Sequence, residues 1–148
     1  MMDLDTLTSS ELARICREAG EECAERIAQI AAASDPSDRS LQILLERMAS
    51  EEFAQARAIE GSAYGPSNGD GFRAFIRRAI LSLTRSLGEG KLPRDVALFY
   101  AECLAEELAR FYRMLAEHSR EAGIQDVCHQ LSDRERGQLR FLREVVFQ

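Results

Sequence analysis

The sequence has few of the residues that interrupt helices and few that commonly build catalytic or metal sites. Only three of its 148 residues are proline, two are histidine, and none is tryptophan. The four cysteines form no CxxC pair, which argues against a zinc ribbon or a rubredoxin-type iron site. No Gly-rich phosphate loop, Ser-His-Asp set or Cys-His pair is evident. No apolar run approaches the roughly 18 residues that a membrane span needs.

The balance of charge and apolar residues excludes further classes. The net charge of −6 argues against a general nucleic-acid binder, whose affinity comes from neutralising phosphates. The first residues, MMDLDTLTSSEL, lack the basic start and apolar stretch of a signal peptide, so we expect a cytoplasmic location. With 45% hydrophobic residues, the chain fits one globular domain spanning residues 1–148.

Helical periodicity runs almost without a break and predicts an all-α protein. Asp35 is predicted to cap the second helix, with Pro36 as its first residue, and Ala122-Gly123 is predicted to form a tight turn. Four helices of this length with one long crossover describe a four-helix bundle. The predicted helices are Ser9 to Ala33, Pro36 to Glu60, Pro93 to Glu121 and Ile124 to Val146.

The long connection between the second and third helices is predicted to carry a helix of its own. Its first part, Gly61 to Gly71, is a loop by its glycine and proline content, and Phe72 to Leu87 follows with one apolar face and four arginines. The arginines favour docking on an acidic bundle or on a second subunit over a membrane surface. Because the apolar face needs a partner, we expect a homodimer.

Two acid–amide pairs fall on the inward faces of the second and fourth helices. Glu52 and Gln55 are three residues apart, and so are Glu135 and Gln138; each pair is offset from the other by 83 positions. Helix one aligns with helix three at an offset of 85. The halves therefore look like two copies of one helical hairpin. A pseudo-twofold axis between them would bring the four polar side chains together in the core.

These patterns resemble the ferritin-like superfamily, and rubrerythrin-type proteins most of all. The resemblance rests on the alanine-rich segment Ala109 to Ala116 and on the elements Glu52-Phe-Ala-Gln55 and Glu135-Arg-Gly-Gln138. It implies a ferritin-like four-helix bundle. In active members of the family, each half supplies one Glu from its first helix and an E-x-x-H from its second, and together these bind two iron ions.

The chain departs from that ligand pattern at four of the six positions. Both E-x-x-H elements end in glutamine, and a carboxamide is a weaker iron ligand than imidazole. The first-helix positions are Gly20 and Ala105, which offer no ligand atom. Glu52 and Glu135 match by type as bridging carboxylates. The remaining metal candidates are Glu22, at the edge of the apolar line, and Glu106.

Two functions follow from these departures. In the first, the protein binds no metal and is a structural or binding module whose core is crossed by hydrogen bonds, Glu52 to Gln138 and Glu135 to Gln55. In the second, Glu52 and Glu135 hold iron or another divalent metal pair that reduces peroxide or oxygen. That oxidoreductase would need an external electron donor. The replaced histidines favour the first function.

The remaining candidate groups are predicted to be structural. Cys16 and Cys23 share a helix face with apolar residues and are expected to be buried reduced thiols. His118 and His129 fall on polar faces, and Arg134 is expected at the surface.

Overall fold

The structure is a computed structural model that describes residues 9–59, 92–118 and 122–146. These residues form four α-helices and no strand. No helix among them is long and apolar enough to cross a membrane. The predicted helix Phe72–Leu87 and the loop before it lie outside the described residues. The helices are α1, Ser9–Ala33; α2, Arg39–Arg57; α3, Arg94–His118; and α4, Ala122–Val146.

The predicted start of α2 at Pro36 is wrong by three residues. Asp38 is the N-cap, and its Oδ1 accepts a hydrogen bond from the backbone N–H of Leu41 at 3.2 Å. Arg94 at the start of α3 also reaches Oδ1, at 2.9 Å. Asp35 instead accepts from the N–H of Ser37 at 2.9 Å and holds the preceding turn. Asp38 therefore serves as cap and as anchor for α3, which local sequence patterns do not reveal.

The predicted turn at Ala122-Gly123 is also wrong, because both residues belong to the first turn of α4. The first amides of a helix have no partner within it, so a glycine there breaks no helical hydrogen bond. The space around Gly123 is open. The start of α4 thus lies two residues earlier than its apolar pattern indicates.

The long connection places α2 and α3 parallel to each other. The N–H of Leu92 donates to the carbonyl of Ala33 at 2.9 Å, and Ser34 and Leu92 form an isolated parallel bridge. The chain therefore returns to the end of the bundle where α1 stops and α2 starts. From there α3 runs antiparallel to α1, and α4 runs back beside α3. The predicted all-α architecture with four long helices is confirmed for the described residues.

The helices pack around one apolar core. Backbones lie close between α1 and α2, between α3 and α4, and between α1 and α3, while α1 also touches α4. Among the described helices, α2 and α4 approach each other less closely along their backbones than any of these pairs. They meet instead through side chains that reach into the core, and these include the two buried glutamates. The largest fully buried apolar side chains include Phe111, Ile27, Leu41, Leu45, Leu98, Leu104, Leu108, Leu115 and Leu142.

Candidate functional site: a buried carboxyl pair

Glu52 of α2 and Glu135 of α4 are the two acidic side chains in the described core. They are 2% and 1% exposed, although glutamate is almost never fully buried without a partner. Their burial follows from helical spacing, because each lies between two buried apolar residues that are one turn away on the same face. These neighbours are Met48 and Ala56 on α2, and Leu131 and Leu139 on α4.

The two carboxyl groups hydrogen-bond to each other across the core. Loss of water on burial raises the pKa of both groups, and the pKa of Glu135 lies well above its ordinary value. Hydrogen bonds from Glu135 and Gln138 partly offset this rise in the pKa of Glu52. Two carboxyl groups can form a hydrogen bond only when one of them holds a proton. Glu135, whose pKa is raised more strongly, holds the proton and donates, and Glu52 accepts. The pair keeps a proton at pH values where exposed glutamates have lost theirs.

The two predicted amide partners behave differently. Gln138 lies one turn after Glu135, and a hydrogen bond from its amide helps to lower the pKa of Glu52. Gln55 is half-buried, and within the described residues no hydrogen bond joins it to Glu135. Of the two amides, Gln138 is therefore the one that acts on the carboxyl pair. Gln138 brings its amide to the acid of the other hairpin, which is the acid that accepts the shared proton.

Three buried oxygen atoms near this pair lack a hydrogen-bond partner within the described part of the chain. They are Oε1 of Glu52, Oε2 of Glu135 and Oε1 of Gln138. A buried oxygen acceptor without a donor is unfavourable by about 1–3 kcal/mol. The centre is therefore a polar site with unused acceptor capacity inside an apolar core.

The other predicted metal ligands do not join this pair. Glu22 is 14% exposed and pairs with Arg26 at 3.1 Å. Glu106 is 40% exposed and pairs with Arg110 at 2.8 Å. Within the described residues, no group of three or more His, Cys, Asp or Glu side chains is arranged to hold a metal ion.

The two first-helix positions are filled by close packing. A Cβ built on Gly20 would lie 2.7 Å from the Cβ of Ala56 and 3.1 Å from the hydroxyl oxygen of Tyr112. Ala105 is fully buried, so a longer side chain there would displace its neighbours. A glutamate fits neither position. With two carboxylates and one amide oxygen as donors, the residues present do not fit the six-ligand di-metal centre that the resemblance implies.

Two neighbours of the carboxyl pair were not predicted as part of the site. The pKa of the Cys23 thiol is raised well above its ordinary value by burial first, and then by the charges of Glu52 and Glu135. The pKa of Tyr112 is raised well above its ordinary value by burial and by nearby acidic groups, including the same two glutamates. Helical spacing predicted that both side chains point inward, but it does not say which residues they face. Both are therefore neutral groups beside the shared proton.

The structure also locates the remaining predicted groups. Cys16 and Cys23 are buried and unbridged, as expected; Cys128 is also buried, and Cys103 is half-buried. His129 and Arg134 are exposed, as predicted, while the side chain of His118 is outside the described part.

Comparison with known proteins gives no relative to this chain: no family model, curated protein or solved structure matches it. Its class is therefore defined by its own geometry. The described residues form an all-α, four-helix protein with a parallel α2 and α3 and a carboxyl pair between α2 and α4.

Proposed function

We propose that this protein is a ferritin-like bundle in which a proton-sharing carboxyl pair takes the place of a di-metal centre, and that it acts as a non-catalytic structural or binding module. The carrying observation is the hydrogen bond between Glu52 and Glu135. In the family that the chain resembles, these positions bridge two metal ions. Here each carboxyl group has the other as its partner.

The arrangement of the helices supports the ferritin-like part of the proposal. Ferritin-like bundles differ from simple up-down bundles in having one long crossover. In this chain, residues 60–91 join α2 to α3, and Leu92 lies beside Ala33 at the opposite end of α2. The two acids also lie on α2 and α4, the helices that carry the E-x-x-H elements in the family.

The packing around Gly20 supports the non-catalytic part. The contact with Ala56 and Tyr112 occupies the space that a ligand side chain from α1 would need. Replacement of both histidine positions by glutamine removes the nitrogen ligands that iron prefers over amides. What remains is a polar centre stabilised by hydrogen bonds within the protein. Such a centre is consistent with a structural or binding role.

A specific observation favours one alternative, a di-metal carboxylate oxidoreductase that reduces peroxide or oxygen. The unpartnered oxygens of Glu52, Glu135 and Gln138 are hard donors of the kind that divalent cations bind. Such an enzyme would take electrons from an external donor. We place this function second because its ligand set is incomplete.

Metal analysis separates the two functions. The protein is purified without chelator and its metal content measured, and it is then titrated with Fe(II) without oxygen, alongside the double variant Glu52→Gln/Glu135→Gln. We expect no stoichiometric metal in either protein. About two ions per chain in the wild type, absent from the double variant, would establish the alternative. Metal bound equally by both proteins would lie elsewhere on the chain.

We further propose that the partner is a second copy of this chain and that the protein is cytoplasmic. Phe99 of α3 and Phe141 of α4 are 57% and 51% exposed, and a dimer interface would cover such side chains. Sedimentation equilibrium of the wild type and of Phe141→Arg tests this. We expect a dimeric mass for the wild type. A monomeric mass across the accessible concentrations would contradict it.

A further inference from the structure

Cys16 of α1 and Cys128 of α4 form a second buried pair, distinct from the carboxyl pair. Their sulfur atoms are 3.6 Å apart although the residues are 112 positions apart in the chain. Both side chains are buried, and both thiols are unbridged. The proximity joins the first helix of one hairpin to the second helix of the other.

Helix α3 holds both cysteine-bearing turns in place. The hydroxyl of Tyr112 donates to the backbone carbonyl of Cys16 at 3.3 Å, where the missing side chain of Gly20 leaves room for it. The hydroxyl of Ser132, one turn after Cys128, donates to the carbonyl of Ala109 at 3.0 Å. Both contacts are buried, and they join the two cysteine-bearing helices to α3.

We propose that Cys16 and Cys128 are a redox-active dithiol that closes into a disulfide when the protein meets hydrogen peroxide. Closure brings the sulfurs from 3.6 Å to a bond length of about 2.05 Å. The site is assigned by position and not by the carboxyl pair, so it stands whether or not the proposed function does.

The geometry selects this pair among the four cysteines. Cys16 and Cys23 are seven residues apart on one helix, which separates their Cα atoms by about 10.5 Å along the axis. A disulfide needs Cα atoms within about 7 Å, so these two cannot bond while α1 is intact. Cys103 is half-buried, and within the described residues no hydrogen bond joins its thiol to another cysteine.

The hydrogen bond between the thiols decides which sulfur reacts first. Either sulfur can be the donor in this hydrogen bond; with Cys16 as the donor, the pKa of Cys16 is raised well above its ordinary value and the pKa of Cys128 is lowered. With that donor, the Cys128 thiolate is the nucleophile. Its neighbour Val127 is 39% exposed, so this turn of α4 borders the solvent from which a small oxidant arrives.

The reaction balances with peroxide as the two-electron oxidant. The Cys128 thiolate attacks one peroxide oxygen, the O–O bond breaks, and the departing hydroxide takes up a proton to leave as water. The sulfur of Cys16 then attacks the resulting sulfenic acid. The S–S bond forms, the S–O bond breaks, and the oxygen leaves as a second water with the proton from Cys16. Two thiols and one peroxide thus give one disulfide and two waters.

Peptide mapping tests this directly. Trypsin cleaves after arginine and places each cysteine in its own peptide: residues 15–17, 18–26, 95–110 and 121–134. The folded protein is treated with hydrogen peroxide, its remaining thiols are alkylated in denaturant, and the digest is analysed without reductant. We expect most of peptide 121–134 to be recovered joined to peptide 15–17, with a mass lower than their sum by two hydrogens. Reductant should restore both free peptides.

Variants sharpen the assignment. Cys103→Ser should leave the cross-link unchanged, while Cys16→Ala should abolish it and leave Cys128 as its sulfenic or sulfinic acid. If Cys16→Ala is too unstable to purify, the wild-type map alone decides. Recovery of Cys16 and Cys128 as alkylated thiols, under conditions that oxidise Cys103, overturns the proposal. Cross-linking of Cys128 to any cysteine other than Cys16 overturns it as well.

Discussion

The two hairpins, α1–α2 and α3–α4, carry the same residue type where they contact each other at Glu52 and Glu135, and different residue types at equivalent positions away from that contact. Glu52 and Glu135 occupy equivalent positions, 83 residues apart, and both are buried beside each other. On the apolar line of each helix, the residues four before and four after the acid are buried as well. At the predicted twofold axis, each side chain contacts the residue at the equivalent position of the other hairpin. Two glutamates can therefore serve as hydrogen-bond partners for each other by sharing one proton.

Away from the axis, equivalent positions carry different residues. The offset of 85 that aligns α1 with α3 pairs Gly20 with Ala105 and Ile27 with Tyr112. The Tyr112 hydroxyl reaches α1 because Gly20 lacks a side chain. The mirrored contact is impossible, since Ile27 has no hydroxyl and Ala105 has a Cβ. An off-axis contact and its mirrored counterpart are made by different side chains, so nothing requires the two to be alike.

The thiol pair shows the same asymmetry. The positions equivalent to Cys16 and Cys128 are Ala101 and Leu45, which are both buried and apolar. The contact between α1 and α4 therefore contains two thiols, whereas the equivalent positions on α3 and α2 contain only apolar side chains. Comparison of the hairpins thus separates what the repeat explains, the acid pair, from what is particular to one side.

The largest effect is expected at the symmetric acid. Glu52→Ala leaves Glu135 without its partner and opens a cavity, which should lower the free energy of unfolding by about 2–4 kcal/mol. Chemical denaturation measures this. Glu51→Ala is the matched control, because that residue is next in the helix but exposed, and it should change stability by less than about 0.5 kcal/mol. Equal melting of Glu52→Ala and wild type would contradict a hydrogen-bonded core role.

The next effect concerns the asymmetric glycine. In Gly20→Ala the new Cβ meets Ala56 at 2.7 Å, and we expect a net loss of about 1–2 kcal/mol despite the better helix propensity of alanine. Gly137→Ala is the control, because a Cβ there has no neighbour within 4 Å. It should gain about 0.5–1 kcal/mol. A stabilising Gly20→Ala would show that α1 and α2 are not in close contact at this point.

The pH dependence of stability tests the shared proton. Both carboxyl groups have a raised pKa in the folded state, so the folded chain binds protons more tightly than the unfolded chain. Their contribution is complete below the ordinary glutamate pKa of about 4.3 and is lost as the pH rises through the folded pKa values. Each unit of pKa difference corresponds to about 1.4 kcal/mol.

The double variant Glu52→Gln/Glu135→Gln isolates this contribution from the other titrating groups. Its free energy of unfolding should fall less than that of the wild type between mildly acidic and mildly alkaline pH. Identical slopes in the two proteins would mean that the carboxyl groups titrate normally, and the proton-sharing pair would be refuted.

The smallest effect is expected at Tyr112. Tyr112→Phe removes the hydrogen bond to the Cys16 carbonyl and should cost about 0.5–1.5 kcal/mol. The hydroxyl is also one of the atoms that crowd a side chain at position 20. Gly20→Ala should therefore cost less in the Tyr112→Phe background than in the wild type. Additive effects in this double-mutant cycle would show that the two residues are not coupled.

Much of this architecture follows from the amino-acid sequence. The periodic apolar residues predict all four helices, and the last residues of α1 and α4, Ala33 and Val146, are those predicted. The start of α2 was missed because Asp35 and Asp38 are equally good caps by type. What distinguishes Asp38 is a hydrogen bond from Arg94, which is distant in sequence.

The candidate site divides in the same way. The offset of 83 predicted that the two acids would meet, and a bond between Gln138 and Glu52 was predicted with it. The matching bond from Gln55 is absent from the described contacts, since small differences in helix position decide whether an amide reaches. The di-metal interpretation named Glu22 and Glu106 as further ligands, but these side chains pair with Arg26 and Arg110, one turn further along their own helices.

The sequence by itself determined four amphipathic helices and the inward position of both glutamates, because helical spacing is a local property of the chain. Only the tertiary structure decided which inward residues touch. The shared proton of Glu52 and Glu135, the Tyr112 hydroxyl above Gly20 and the meeting of Cys16 with Cys128 each depend on how the helices are rotated and shifted against one another. Those rotations are set by the packing of the whole core, to which residues far apart in the chain contribute together.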